Sequence, residues 1–261
     1  MEFYGDYHVH SRNSDGRQQK EDIVKAARNR GLKEVAITDH GPLVAGIGVK
    51  NTEKYTSLAQ EIEGAKNDEE IRVYVGAEAN IRGLDGKLDL DEAAARQLDI
   101  LIAGLHPYTL PSTLKDGMQL FARNSLRHLG REQRKRALNN NTKACVAAIY
   151  ANPTLDILSH PGMFFQVDII EVAQACVQNK VLFEINCGHE HPSFSDIMEA
   201  NRIGVDFIVN SDAHFPESVG NLEYGQRAIK QLEIEPERVI NLGCRGGLKI
   251  WGKKARGCIY L

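Results

Sequence analysis

Seven near-continuous apolar runs of strand length set the frame of this chain. They are FYGDYHV at 3–9, EVAITDH at 34–40, IRVYVGAE at 71–78, LDILIAGLH at 98–106, LDILSH at 155–160, VLFEINC at 181–187 and DFIVNSDAH at 206–214. A strand that is apolar at almost every position is covered on both faces, which is the situation of a parallel sheet rather than of a sheet with one side in water. Helical patterns lie between the runs, at 20–30, 52–66, 132–151, 168–179, 195–203 and 222–232. In the first of these, Ile23, Ala26, Ala27 and Arg30 fall at helical spacing, and Gly31 follows as a C-terminal stop. Strand and helix alternating through short connections means βα units wound right-handed. Seven such units predict a distorted TIM-like (βα)7 barrel, one unit short of the eight-fold form, with an open doubly wound sheet as the alternative. A length of 261 residues suits one such barrel, read here as a single domain over 1–261. Residues 107–134 are the longest connection without a clear pattern, and 241–261 form a Gly- and Lys-rich tail holding the only tryptophan, Trp251.

The charge balance narrows the function. A formal charge of −3 gives no broad basic surface for duplex nucleic acid. The amino terminus, MEFYGDYHVH, has neither a basic nor an apolar stretch of the kind a secretory signal needs, and no run approaches the ~18 apolar residues of a membrane span. Cys145, Cys176, Cys187, Cys244 and Cys258 are widely spaced and form no CxxC, which fits reduced thiols acting as small buried hydrophobes in a cytoplasmic protein.

The strand ends carry the chemistry. The first run ends in His8 and His10, with Asp15 in the loop after it; the second ends in His40, the third in Glu78, the fourth in His106, the fifth in His160 and the seventh in Asp212 and His214. The sixth has Asn186 in the equivalent place. In a parallel barrel the carboxyl ends of all strands face one mouth, where active sites are built. The period-two alternation of a strand puts both histidines of His-x-His on one side. Taken singly, each residue has an ordinary explanation: a strand-end histidine can be a satisfied loop residue, Asp15 in NSDG can make a turn, and Asp212 in NSDAH can cap the next helix. Six of seven strand ends carrying such residues, and six of nine histidines falling there, is a coincidence those explanations do not cover. Of the others, His128 lies in a basic surface stretch, while His189 and His191, in CGHEHP, read as a solvated loop with possible access to substrate.

Nitrogen and oxygen donors without thiolate suit zinc, manganese or iron. Nine are too many for one ion and enough for two to three divalent ions if a carboxylate bridges. Such a cluster makes a net positive pocket that attracts anions and acidifies bound water, which points to phosphoester hydrolysis by a metal-bound hydroxide.

The set HVH-x4-D, ITDH, GAE, GLHP, SHPG and SDAH, in this order and spacing, resembles the PHP superfamily, the polymerase and histidinol phosphatase domains, from about residue 5 to residue 220. The resemblance implies a distorted (βα)7 barrel with up to three metals. Carried over position by position, it implies His8, His10, Glu78 and Asp212 at a first metal and Asp15, His40 and His214 at a second. It implies Glu78 bridging to a third metal completed by His106 and His160. Some relatives place a histidine where Asp15 stands; the acidic donor hardens that site towards manganese or iron. The chain is most similar to stand-alone bacterial phosphoesterases of the family, in EANI…DGKLDL and DILSHPG…VDIIEVA, and departs from them at 108–140. That segment holds Arg123, Arg127, Arg131, Arg134 and Arg136. It reads either as a solvated helical face or as a lid in which Arg123 and Arg127, four apart, share a face and bind substrate phosphate.

The expected activity is that of a metal-dependent phosphatase acting on a small phosphorylated metabolite, with Glu78, Asp212 and His214 as catalytic residues and neither membrane nor nucleic acid as partner. A 3′–5′ exonuclease on single-stranded ends is the competing enzyme reading. A regulatory barrel without chemistry is disfavoured by the complete donor set, and an amidohydrolase plan fits Glu78 and SDAH poorly.

Overall fold

Seven parallel strands run in the order β1 to β7 around the sheet: β1 Gly5–Val9, β2 Glu34–Ile37, β3 Arg72–Asn80, β4 Ile100–Gly104, β5 Ile157–Leu158, β6 Leu182–Asn186 and β7 Phe207–Asn210. The chain is described here by a computed structural model covering residues 1–64, 71–243 and 247–253. Helices α1 (Lys20–Asn29), α2 (Glu53–Gly64), α3 (Glu92–Gln97), α6 (Arg131–Ala151), α7 (Ile169–Asn179), α8 (Phe194–Ile203) and α9 (Glu223–Gln231) follow the strands, with the short α4 (Leu114–Asp116) and α5 (Arg123–Ser125) inside the connection after β4, and α10 (Leu248–Trp251) last. The expected alternation is present. Helix α3, capped by Asp91 accepting from Ala94 N–H, is an element the periodicity did not predict. The end of the expected helix 52–66 lies outside the described residues.

Alternation along the strands sorts side chains into two layers. Outward residues such as Val35, Ile37, Leu101, Phe183 and Phe207 form one core with Ile23 and Ala27 of α1 and Val172 and Cys176 of α7. Inward residues Tyr7, Ala36, Tyr74, Ile100, Ile102, Ile157, Leu182 and Ile208 fill the barrel from below. Each such large side chain, removed from water, stabilises the fold by roughly 1.5–3 kcal/mol. Cys145 and Cys176 are buried, as small hydrophobes should be, and burial pushes the Cys145 thiol up to about 12. Cys187 is half-buried; Cys244 and Cys258 lie outside the described residues.

The lower end is closed by the tail. Trp251 meets the Tyr7 ring edge-on at 4.9 Å. Glu34 accepts hydrogen bonds from the Tyr7 hydroxyl at 2.8 Å, the Tyr74 hydroxyl at 3.0 Å and the Leu248 N–H at 2.8 Å.

Between β7 and β1 the ladder is nearly absent, and side chains close the seam. Asn241 donates to Gly5 O and Val209 O and accepts from Val209 N–H, all while fully buried. His10 N–H donates to Ala213 O at 2.9 Å above it. Asn241→Ala leaves those backbone groups without partners in a dry seam. It should lower unfolding free energy by about 1–3 kcal/mol, read as a reduced denaturant midpoint; an unchanged midpoint would mean that water or neighbours replace the amide.

The register of β1 shifts between Asp6 and Val9, where three steps on β1 match two on β2. A bulge of this kind re-aims the strand. Tyr7 packs in the inner layer below, yet His8 also faces inward above it, and His10 follows on the same side.

The connection at 107–134 is not a regular helix. A π-helical turn, Gly117–Ala122, joins α4 to α5, and a 3-10 turn, Arg127–Leu129, follows. Arg123 and Arg127 therefore do not sit on one continuous α-helical face. Arg131, Arg134 and Arg136 are exposed on α6, as is His128 before it, which fits a solvated face. Among the described residues no helix is long and apolar enough to cross a membrane.

Candidate metal centre

All nine strand-end donors meet at the carboxyl mouth of the barrel. Glu78, on β3, is the hub. Its Oε2 lies 3.0 Å from His40 Nδ1, 3.3 Å from His8 Nε2 and 3.6 Å from His10 Nε2. Its Oε1 lies 2.9 Å from His160 Nε2 and 3.1 Å from His106 Nε2. Asp212 Oδ1 is 3.0 Å from His10 Nε2 and 3.5 Å from His8 Nε2. Asp15 is 3.3 Å from His214 Nε2 and 3.8 Å from both His10 and His40. His8, His10 and Glu78 are fully buried, whereas Asp15 and His214 remain partly exposed, so the cluster opens towards solvent on their side.

Backbone geometry contributes to this aim. His160 has φ +27° and Asp212 φ +52°, left-handed values that cost an ordinary residue about 1–3 kcal/mol and that collect at functional sites. Gly104 is needed beneath the histidines: a Cβ there would lie 2.4 Å from Ser159 Oγ and 3.0 Å from the Cε1 atoms of His106 and His160.

The arrangement is costly without a cation. His106 Nε2 and His160 Nε2 approach to 3.2 Å, and the rings of His10 and His214 stack at 4.3 Å. The buried atoms His8 Nε2, His10 Nδ1 and Nε2, His40 Nδ1, His106 Nδ1 and Glu78 Oε2 have no hydrogen-bond partner. Buried polar atoms are ordinarily satisfied. Lone-pair atoms of imidazole and carboxylate converging in this way fit transition-metal ions. Three groups have their donor atoms within 4.8 Å of one another: His10, Asp15, His40 and His214; His8, His10 and Glu78; His40, Glu78 and His106. His160 joins the last through its contacts to Glu78 and His106.

Electrostatics hold the carboxylates ionised. Burial would raise Glu78, but His106, His8 and His40 hold it well below the usual range. Asp212, also opposed by burial, is held well below its usual value by His8 and His10. Asp15, raised by burial but paired with His214, sits at about 2, while His214, lowered by burial, is carried to about 9 by Asp15 and Asp212. Burial pushes His106 down to about 4.

Sequence reading passed over Glu184. It is fully buried on β6, inward like Asn186 two residues on. Its Oε1 takes His8 Nδ1 at 2.7 Å and Asn210 Nδ2 at 2.8 Å; its Oε2 takes His160 N–H at 2.9 Å and Asn186 Nδ2 at 3.1 Å. Burial would raise its pKa but His8 lowers it, so it is an acceptor only and Nδ1 of His8 must carry the proton. That fixes the tautomer with Nε2 free towards Glu78 and Asp212. Asn186 in turn donates to Asp212 Oδ2 at 2.9 Å. A carboxylate at strand alternation with Asn186 was the available signal. His189 is a second departure from expectation. Instead of simply facing solvent, it lies at the rim with Nε2 3.4 Å from Asp212 Oδ2, while its side chain stays 43% exposed. His191 Nε2 pairs with Pro161 O at 3.0 Å.

Beside the histidines, Arg127 lines an open pocket with Phe164 and Phe165; Arg123 does not line it, and its Nε is buried without a hydrogen-bond partner.

Comparison with known proteins agrees with this geometry. The chain is 29% identical over 231 residues to a probable phosphatase of Caldicellulosiruptor bescii, covering 85% of this chain and 83% of the relative. It is 31% identical over 229 residues to a probable phosphatase of Thermoanaerobacter sp. strain X514, covering 84% and 81%. A DNA polymerase/3′-5′ exonuclease of Bacillus subtilis matches at 26% identity over 91% of this chain but only 39% of its own length. In fold, the chain is similar to a histidinol phosphate phosphatase of Lactococcus lactis crystallised with zinc, L-histidinol and phosphate, with TM-score 0.60, 17% identity and coverage of 90% of this chain and 95% of that one. The family model described as the PHP domain matches residues 6–211. On that match, spanning most of its length, the chain belongs to the PHP domain family.

Proposed function

We propose that this protein is a metal-dependent phosphoesterase that hydrolyses a small phosphomonoester. The observation that carries the reading is the convergence of nine nitrogen and oxygen donors, several of them buried and unpartnered, at the barrel mouth. Its likeness over most of both chains to probable phosphatases supports it. His8, His10, Glu78 and Asp212 would hold one ion, Asp15, His40 and His214 a second, and Glu78, His106 and His160 a third, zinc, manganese or iron being suited to the donors. Ions so held acidify water and neutralise phosphoryl charge.

The chain's own groups do the rest. Glu78 faces the first and third donor sets with different oxygens, so it fixes their spacing. Asp212, oriented by Asn186, anchors His8 on β1 and His10 just beyond its end. Asp15 and His214 are the partly exposed donors, so the cluster is open to an anionic substrate on their side. The barrel floor, closed by Tyr7 and Trp251, excludes entry from below.

The match to a polymerase-associated exonuclease supports a second reading, single-strand end trimming. With a charge of −3 and no basic groove in the sequence, small esters should be preferred. Phosphate release from a panel of sugar, amino-alcohol and nucleotide monoesters, and nucleotide release from single-stranded DNA, measured on one metal-loaded preparation, decides between them. The expected result is faster turnover of at least one small ester; faster digestion of DNA than of any ester would select the exonuclease.

A further inference from the structure

Next to the donor cluster the connection after β4 builds a pocket of about 520 Å³, within the ~300–1,000 Å³ typical of small-molecule sites. Its walls are largely apolar, with Phe121, Phe164, Phe165, Pro107 and Pro111 prominent among them. None of the nine donors lines it. It is nevertheless contiguous with them: the Phe164 ring lies 5.8 Å from His106 and 5.6 Å from His160, centre to centre, and Pro107 follows His106 in the chain.

Three further features mark this pocket as built for a ligand. The wall residues Gly117, Phe121 and Ala122 belong to the π-helical turn, a rare geometry frequently found at functional sites. Tyr108, at the edge of the pocket, is 77% exposed on a backbone with φ +67°, an outlier for an aromatic residue that only an over-determined site maintains. Arg127 lines the pocket with its guanidinium anchored by donation to Asn124 O at 2.8 Å, and among the described residues no carboxylate pairs with it.

We propose that this pocket receives the leaving group of the substrate, and that the substrate is a phosphomonoester of an alcohol bearing a flat apolar ring with an acidic substituent. The inference rests on the phosphomonoesterase reading above. With the phosphate at the donor cluster, the alcohol extends past Phe164 onto the aromatic walls, and Arg127 meets the acid. Arg127 thus recognises the leaving group rather than the transferred phosphate, because the walls it shares include none of the donors.

The test compares propyl phosphate, 2-phenylethyl phosphate and the phenylethyl ester carrying a para-carboxylate, whose leaving alcohols are of similar acidity, on metal-loaded protein. The phenylethyl ester should exceed the propyl ester in kcat/KM at least tenfold, and the carboxylate should add severalfold more. Arg127→Gln should abolish the added gain. Ala122→Trp, at an exposed position on the pocket wall, should bring the phenylethyl-to-propyl ratio towards one. A ratio near one in the wild type overturns the pocket assignment while leaving phosphatase activity intact. Absence of hydrolysis of every ester, these three and the panel above alike, overturns the phosphomonoesterase reading instead. In that event calorimetric binding of the free alcohol, 4-(2-hydroxyethyl)benzoate, judges the pocket alone: binding weakened by Ala122→Trp supports it, and no binding to the wild type refutes it.

Discussion

Glu78→Gln should lower phosphate release by at least ~10²-fold while leaving the circular dichroism spectrum unchanged. The glutamine keeps the volume of the side chain but puts a neutral amide among five imidazoles, each with a nitrogen within 3.6 Å of the present carboxylate. One of its two oxygens becomes an NH2 group, which has no lone pair to give. Whichever orientation the amide takes, one donor set loses its shared ligand. Glu78→Ala should cost as much activity and also stability, because the five imidazoles packed around the carboxylate would lose the anion that offsets their burial. A folded Glu78→Gln protein with near-normal turnover would mean that the hub is misassigned.

Glu184→Gln should weaken metal affinity and activity by roughly 10–100-fold, the usual loss when the group that orients a ligand is removed. The carboxylate now accepts from four donors, two on each oxygen. A glutamine can accept from only two of them and must aim its own N–H groups at the others. If the amide nitrogen faces His8, the imidazole has to turn its tautomer to accept, which places a proton on Nε2, the atom that points to Glu78 and Asp212. If it faces His160, the strained backbone N–H of that residue loses its acceptor. Metal titration followed by activity separates this from a folding defect: the variant should need more metal for half-maximal rate. An unchanged requirement would show that His8 is oriented by something else.

The two residues differ in how they could be found. Glu78 stands at the end of an apolar run, where any parallel barrel must deliver it to the mouth, and the same holds for His40, His106 and His160. Glu184 lies mid-run, and a carboxylate there has no meaning until His8, brought from 176 residues away, is seen to need it. The inward turn of both Tyr7 and His8 depends on a bulge that no alternation pattern encodes. His189 approaches Asp212 only because the CGHEHP turn folds back, with His191 N–H returning to Asn186 O at 3.0 Å. The run LDILSH forms regular strand over just two residues, although Asp156 and Ser159 on either side still bond to β4, through Asp156 N–H to Leu101 O and Ser159 N–H to Ala103 O, both at 2.9 Å. In the connection after β4, π, α and 3-10 turns follow one another, so no single period exists to be read. The tail was legible as composition alone; that Asn241 would close the seam and Trp251 the floor follows from tertiary contacts.

Elemental analysis of the purified protein bears most directly on the metal centre. Nine converging donors, with Glu78 shared between two sets, predict two to three transition-metal ions per chain, of zinc, manganese or iron. Fewer than one ion per chain, even after reconstitution with each of those metals, would contradict the assignment of the barrel mouth as a metal centre.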